Sequence, residues 1–482
     1  MECDRETTSM SNGIEALLGE FKNLVIYGAG GVSRVACRLL KECCIGREIC
    51  VAVTDLHGNP KSVEGFQVYA IGDLTSDRYK KDALLIIAMM PVAARELRER
   101  LHEAGYQNII TVGELVDGMY NELYDNPIQK GKILFVNFSG RGYGCNPKYI
   151  CKEILERKWD DMDCVWAVND EGYQFPLGIR TVPYGSFRYY YELATAQVWI
   201  DNQHKNYFSR KRDGQFYIQT WHGCGPLKKI EHDAQSLPSS YLELAELDMG
   251  MVDVCLSGAG FNSMLFRRAF RYNGEILECG CPRNDIFFDM GFSAAEIRTA
   301  IGIPKETSVI LYAPTLRDGE SNRIDVPYLL DACEKLFANH CVMLIREHPQ
   351  MKMQPGRYTF SDNVINVSDY PDMQEILAVS DLLITDYSSV MWDFSLQKKP
   401  VFLYHPDVTV YGEERGIYIP FSEMPYIEAF TMNELYEKLC CYDDGLYRKK
   451  LDNFLGKYES FDCGEAAGAV VDRMGEVIKN EA

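Results

Sequence analysis

The chain has 482 residues, 46% apolar and 25% charged, a globular mixture long enough for about three domains. Its net charge of -20 excludes a broad nucleic-acid surface, which needs clustered Lys and Arg, and weakens attraction to anionic lipid. Its 17 cysteines form no paired CxxC motifs, so structural zinc is not expected; most sit in apolar runs such as VACRLL, packing as small hydrophobes in a reducing cytoplasm.

The N-terminal MECDRETTSM is acidic and polar, unlike a secretory signal. Apolar runs such as ALLIIAMM (83–90) fall short of the ~20 residues that span a bilayer, so membrane contact would be peripheral. A helix around GIEALLGEF is followed by strand NLVIYGAG, helix VSRVACRLLKEC and strand ICVAVTD. DALLIIA, helix PVAARELRERLHEAG and strand NII complete a small α/β domain over 1–125. YGAGGVSR would use Gly28 and Gly30 of a GxGxxG loop, but position 33 is Ser; the stretch is either a ligand loop or a tight strand-to-helix turn. Asp55 either binds a ribose or begins the turn DLHGNP.

A second α/β series, 126–305, opens with strand KILFVNFSG and helix NPKYICKEILERK. It continues through strand DMDCVWAVND, helix YYYELATAQVWI, strand DGQFYIQTWHG, and then VDVCLSGAG and ILECGCPRND. The third, 306–482, carries strand SVILYAPTLRDG, helix PYLLDACEKLFANH, strand CVMLIREHP, strand NVINVSD and helix DMQEILAVS. Strand DLLITD, helix SSVMWDFSLQ and strand PVFLYHP follow, and helical segments near NELYEKLC and GLYRKKLDNFLGKY close it. The fold class is α/β: Rossmann-like units in series, with parallel sheets.

Ligands of such sheets lie beyond the carboxyl ends of the strands, and the polar residues there are read accordingly. In QTWHGCGPLKKI, His222 ends a strand and can accept a hydroxyl proton. Gly223 and Gly225 let backbone approach a substrate, and Lys228 and Lys229 offset phosphate charge. In IREHPQ, Arg346 could grip phosphate and His348 could hold a pyrophosphate or protonate a leaving group; a salt-bridged turn is the other reading. Asp386, Ser388 and Ser389 of TDYSS stand where a strand gives way to a helix, either an anion site or an ordinary cap. Thr315 and Arg317 of APTLRDG follow another strand; Arg283 and Asp285 of GCPRND could pair and fix a hinge. No HExxH, no His/Asp/Glu cluster and no GxxxxGK[ST] loop is present, so no metal ligands are assigned, and the protein itself would stabilise the phosphate.

TWHGCGPLKKI, GCPRND, LYAPTLRD, REHP, VSDLLITDYSSVMWDF and KKPVFLYHPDVTVYGEERGIY occur in that order across about residues 132–440. This ordered set resembles the CDP-glycerol glycerophosphotransferases of teichoic-acid-type polymer synthesis. The resemblance implies a GT-B-like pair of Rossmann domains, here preceded by the small Rossmann-like domain. It implies transfer of a polyol phosphate, glycerol phosphate first, from CDP-glycerol or CDP-ribitol to a hydroxyl of a lipid-linked, capsular or wall polymer, with release of CMP. His222 matches the proposed base and His348 the histidine that handles donor phosphates. Arg317, Ser388 and Ser389 match phosphate-binding positions, Asp386 the acid of the DYSS motif, and Asp407, Tyr411 and Arg415 the segment after the KP strand. Thr315, Arg346 and Lys228 join the donor set from the residue reading. No cofactor beyond the CDP-polyol donor and no nucleic acid is implied, and the setting is the cytoplasm, at the inner face of the membrane. A nucleotide-sugar glycosyltransferase of the same GT-B shape is the alternative.

Overall fold

Aliphatic and β-branched runs form three sheets. The computed structural model describes residues 12–480 apart from 45, 160, 171, 224, 226, 236, 290, 316–323, 348–357 and 408–415. The first sheet contains β1 (Asn23–Tyr27), β2 (Glu48–Val53), β3 (Ser62–Val63), β4 (Phe66–Ala70), β5 (Ala83–Ile87) and β6 (Asn108–Thr111), in the order β3-β4-β2-β1-β5-β6. All its pairs are parallel except β3 with β4. Gly28 follows β1 at φ 126°, where a Cβ would stand 3.0 Å from the Ala88 carbonyl oxygen, so its freedom is used to bring two loops together. Asp55 accepts from the His57 backbone N–H and so shapes the turn.

The second sheet is built from β7 (Gln129–Val136), β8 (Asp163–Val168), β9 (Arg180–Pro183), β10 (Ala196–Asp201), β11 (Phe216–Gln219), β12 (Val254–Ser257) and β13 (Glu275–Glu278). Its order is β13-β12-β11-β10-β7-β8-β9. The third has β14 (Ser308–Ala313), β15 (Cys341–Ile345), β16 (Val364–Asn366), β17 (Leu382–Thr385), β18 (Val401–Tyr404) and β19 (Ile427–Ala429), ordered β16-β15-β14-β17-β18-β19. Both sheets are parallel, and strands such as β10, β15 and β17 are buried along their whole length, because helices cover both faces. Strand order reverses between β7 and β10 in one sheet and between β14 and β17 in the other, creating a crevice at each carboxyl edge.

Two elements differ from the sequence expectation. YYYELATAQVWI is not one helix: the helix Phe187–Thr195 passes directly into β10 at Ala196. No Gly or Pro marks the junction; β10 is fixed by parallel pairing with β7 and β11 and by complete burial. The helix Ala466–Asn480 leaves the expected third segment, 306–482, and returns to the second sheet. There Val470, Val471, Met474 and Ile478 pack with Ile133, Trp166, Val198 and Ile200.

The second and third units meet over a polar seam. Lys148 pairs with Asp372 and with Glu375 (2.6 Å), and Tyr149 donates to Asp372. Backbone pairing joins Lys228 to Ile417, and the Tyr418 hydroxyl donates to Asp233. Among the described residues no helix is long and apolar enough to cross a membrane.

Candidate active site

The second-sheet crevice is built around His222. β7 and β10 run in register to Val136 and Asp201, so Asn137 and Asn202 leave the sheet side by side. Asn202 donates from Nδ2 to Asn137 Oδ1 and accepts from the Phe138 N–H, each at 2.8 Å. Its backbone carbonyl lies 2.6 Å from His222 Nδ1. A carbonyl can only accept, so Nδ1 carries the proton and Nε2 keeps its lone pair. The partly buried ring lies against Phe138 (5.3 Å between centroids) and Trp221 (4.3 Å). Burial lowers the His222 pKa to about 4; Arg283 and His204 push the same way, against the pull of the Asn202 carbonyl.

The backbone around this ring is strained. Phe138, Ser139, Cys145 and Trp221 all have φ between 42° and 55°. Such conformations cost of order 1–3 kcal/mol each and persist where the surroundings dictate them. Trp221 is held by its N–H donating to Gln219 Oε1 (3.0 Å).

Arg283 connects His222 to the third unit. Its Nη1 donates to the His222 carbonyl oxygen at 2.7 Å, and its Nη2 pairs with Asp393 at 2.8 Å; both side chains are buried. Arg283 and Asp285, which by sequence could pair, do not: Asp285 accepts instead from the Ala466 and Ala467 N–H groups at the start of the returning helix. Gln374 donates to both Asp393 (2.9 Å) and Asn284 (3.2 Å), extending the network.

The glycines of the opening motif divide. Nothing lies within 4 Å of a Cβ built on Gly223. At Gly225 the space is already filled, since a Cβ there would stand 2.2 Å from the Trp392 ring. Gly225 therefore admits a side chain of the third unit rather than a substrate. Lys228 is half-buried and its backbone pairs with Ile417, while Lys229 is exposed.

In the third unit, Asp386 at the end of β17 is buried and accepts from the Thr315 N–H (2.9 Å), the Thr315 hydroxyl (3.1 Å) and the Tyr387 N–H (2.6 Å). It fixes the loop after β14 against the loop after β17, across the second crevice. Ser388 accepts weakly from the Val390 N–H at 3.4 Å. Ser389 stands at the cap position of the helix Val390–Ser395, and its hydroxyl makes no capping bond. Arg346 donates from Nη1 to the carbonyls of Val367 (2.9 Å) and Tyr370 (2.7 Å), so that arm braces a loop instead of meeting phosphate. Asp407 accepts from the Tyr387 hydroxyl at 2.9 Å. Arg317, His348, Tyr411 and Arg415 lie outside the described residues. The described residues contain no group of three or more His, Cys, Asp or Glu arranged to hold a metal ion.

Sequence reasoning did not single out Asn137, Asn202, Asn146 or Gln374. Asn146 binds the Thr220 and Trp221 carbonyls from below and accepts the Arg283 N–H. The signal for Asn202 is its place after β10, which the helix-favouring residues running directly into that strand conceal.

The family model described as CDP-glycerol:poly(glycerophosphate) glycerophosphotransferase matches residues 119–476. A teichoic acid poly(glycerol phosphate) polymerase of Staphylococcus epidermidis is 30% identical over 378 residues, 74% of this chain and 52% of that protein. The chain thus spans about half the length of that relative. A teichoic acid glycerol-phosphate transferase of Staphylococcus aureus is 31% identical over 359 residues, 66% of this chain and 90% of that one. The solved structure of the wall teichoic acid polymerase TagF superposes with a TM-score of 0.67 at 27% identity, covering 82% of this chain and 100% of that one. The chain belongs to the CDP-glycerol:poly(glycerophosphate) glycerophosphotransferase family.

Proposed function

We propose that the chain transfers a polyol phosphate, glycerol phosphate first, from a CDP-polyol to an acceptor hydroxyl and releases CMP. One observation carries the reading: the Asn202 carbonyl holds the His222 proton on Nδ1, leaving Nε2 as the basic atom beside the strand-order reversal. The acceptor oxygen bonds to the β-phosphorus as its proton passes to Nε2. The bond from that phosphorus to the bridging oxygen breaks, and CMP leaves with the electron pair. With a pKa of about 4 the free ring is neutral at cytoplasmic pH, and bound diphosphate raises its basicity toward the useful range.

The third unit takes the donor. Thr315, oriented by Asp386, and the uncommitted hydroxyl of Ser389 beside Ser388 contact the phosphates. Arg317 and His348 add positive charge on the strength of the family motifs, and Lys228 stands at the seam between units. Asp386 and Arg346 act by holding loops. The acceptor is a hydroxyl of a lipid-linked, capsular or wall polymer, met by peripheral contact at the inner membrane face, and no cofactor is required. Glycerol is favoured over ribitol because the two relatives described above carry glycerol phosphate in their names.

Purified protein is given an acceptor with CDP-glycerol, CDP-ribitol or UDP-glucose, and the nucleotide released is identified. CMP from CDP-glycerol, lost in His222→Ala with donor affinity retained, is expected. UDP release from the sugar donor, or full transfer by His222→Ala, refutes the proposal.

A further inference from the structure

Behind His222 lies a buried group of charges that the transfer chemistry leaves unused. His204 follows β10 by three residues. Its Nδ1 is 2.8 Å from Asp248 Oδ2 and its Nε2 is 3.4 Å from Glu231 Oε1. The three side chains are 6%, 0% and 2% exposed, so two carboxylates are sealed in the interior with His204 as the cation between them. Burying such acids without a partner is prohibitive, so the arrangement requires His204 to donate from its ring. Hydroxyls complete the set: Tyr241 donates to Glu231 at 2.8 Å and Tyr217 to Asp248 at 3.1 Å.

This group touches one support of the His222 ring, Trp221, and adjoins the other, Asn202, along the chain. His204 is two residues after Asn202, whose carbonyl fixes the His222 tautomer, and Asp201, just before Asn202, forms a buried pair with Lys205 at 2.8 Å. The loop is therefore pinned on both flanks of Asn202. The His204 ring also lies 5.3 Å from the Trp221 ring, which lies 4.3 Å from His222. Asp248 reaches the same place through Gln219, whose Nε2 is 3.5 Å from Asp248 Oδ2 and whose Oε1 accepts the Trp221 N–H.

We propose that His204, clamped between Asp248 and Glu231, is a positioning residue for His222, fixing through Asn202 and Trp221 the tautomer and ring angle that transfer needs. The proposal rests on the reading of His222 as the base. Charge adds a second effect. Burial opposes protonation of His204, but Asp248 and Glu231 outweigh it and raise its pKa to about 10. The charged ring then helps keep His222 unprotonated, alongside Arg283 from the turn Pro282–Phe287 and against Glu231. Removing the His204 charge moves the acid limb of kcat/KM to higher pH.

The test combines ring-nitrogen NMR of protein labelled with 15N-histidine and pH–rate profiles with CDP-glycerol. In the wild type at pH 8, His204 is expected to be protonated on both nitrogens and His222 on Nδ1 alone. His204→Gln and Asp248→Asn are expected to show a mixed His222 tautomer and at least a tenfold loss of kcat with donor KM within twofold, and His204→Gln also the raised acid limb. Glu231→Gln, which keeps the stronger Asp248 contact, is expected to retain most activity. A neutral His204 in the wild type at pH 8 overturns the proposal even if no variant folds. Wild-type tautomer and pH profile in folded His204→Gln also overturn it. If His222→Ala still transfers, the base reading itself fails; if only that variant is dead and His204→Gln is normal, positioning alone fails.

Discussion

The Arg283–Asp393 pair ties the His222 backbone to the third unit, so a double-mutant cycle there tests how the site is assembled. Both groups are buried, at 7% and 5% side-chain exposure, and 2.8 Å apart. Removing one partner of such a pair costs roughly 3–5 kcal/mol, because the other is left as an uncompensated buried charge. In Arg283→Met, Asp393 keeps the Gln374 amide at 2.9 Å, which places the cost near the lower bound, about 3 kcal/mol. In Asp393→Leu, Arg283 keeps the His222 carbonyl at 2.7 Å and is destabilised to a similar degree. The double variant leaves neither charge, so it should be more stable than the sum of the singles implies, with a coupling of about 2 kcal/mol or more. Urea unfolding followed by tryptophan emission suits the cycle, because buried Trp392 adjoins Asp393. Arg283→Met should also lower kcat, since the His222 backbone loses its anchor. Single-variant costs that add to within about 0.5 kcal/mol would show that the pair does not act as a unit and would refute the reasoning.

Gly225→Ala drives a methyl into Trp392, whose ring is 2.2 Å from the ideal Cβ, and should cost about 1–3 kcal/mol in thermal denaturation, whereas Gly223→Ala should melt as the wild type does. Asp386→Ala removes the two hydrogen bonds that Asp386 accepts from Thr315 and is expected to raise the KM for CDP-glycerol at least tenfold, with less effect on kcat; an unchanged KM would remove Thr315 from the donor site. His405 is fully buried, and burial lowers its pKa from 6.5 to about 4, so below pH 6.5 the unfolded chain takes up a proton that the folded one refuses. Stability should therefore fall by about 3 kcal/mol as pH drops from 6.5 to 4. Asp462, raised by burial to about 7, opposes this in the same window, so the effect is read as the difference between wild type and His405→Phe; identical pH curves would exclude it. EDTA is expected to leave transfer from CDP-glycerol unchanged, and a chelator-sensitive rate would contradict a site built from protein groups alone.

The sequence by itself carried the α/β class, the strand-end placement of His222, Thr315 and Asp386, and the family. These rest on local patterns: apolar runs of strand length, Ser and Asp where helices begin, and motifs whose order survives divergence. It did not show that AQVWID is a strand, because Glu192–Thr195 favours helix and no turn residue separates the two; tertiary pairing with β7 and β11 decides it. Nor could it show that Arg283 reaches Asp393 rather than Asp285, that Gly225 receives Trp392, or that the last helix returns to the second sheet. Those contacts join residues more than a hundred positions apart, and their energies arise only when burial removes water from both partners at once. The tautomer of His222 belongs with them: a histidine beside glycines suggests a base, but only the Asn202 carbonyl, carried in by a strand 20 residues away, decides which ring nitrogen holds the proton.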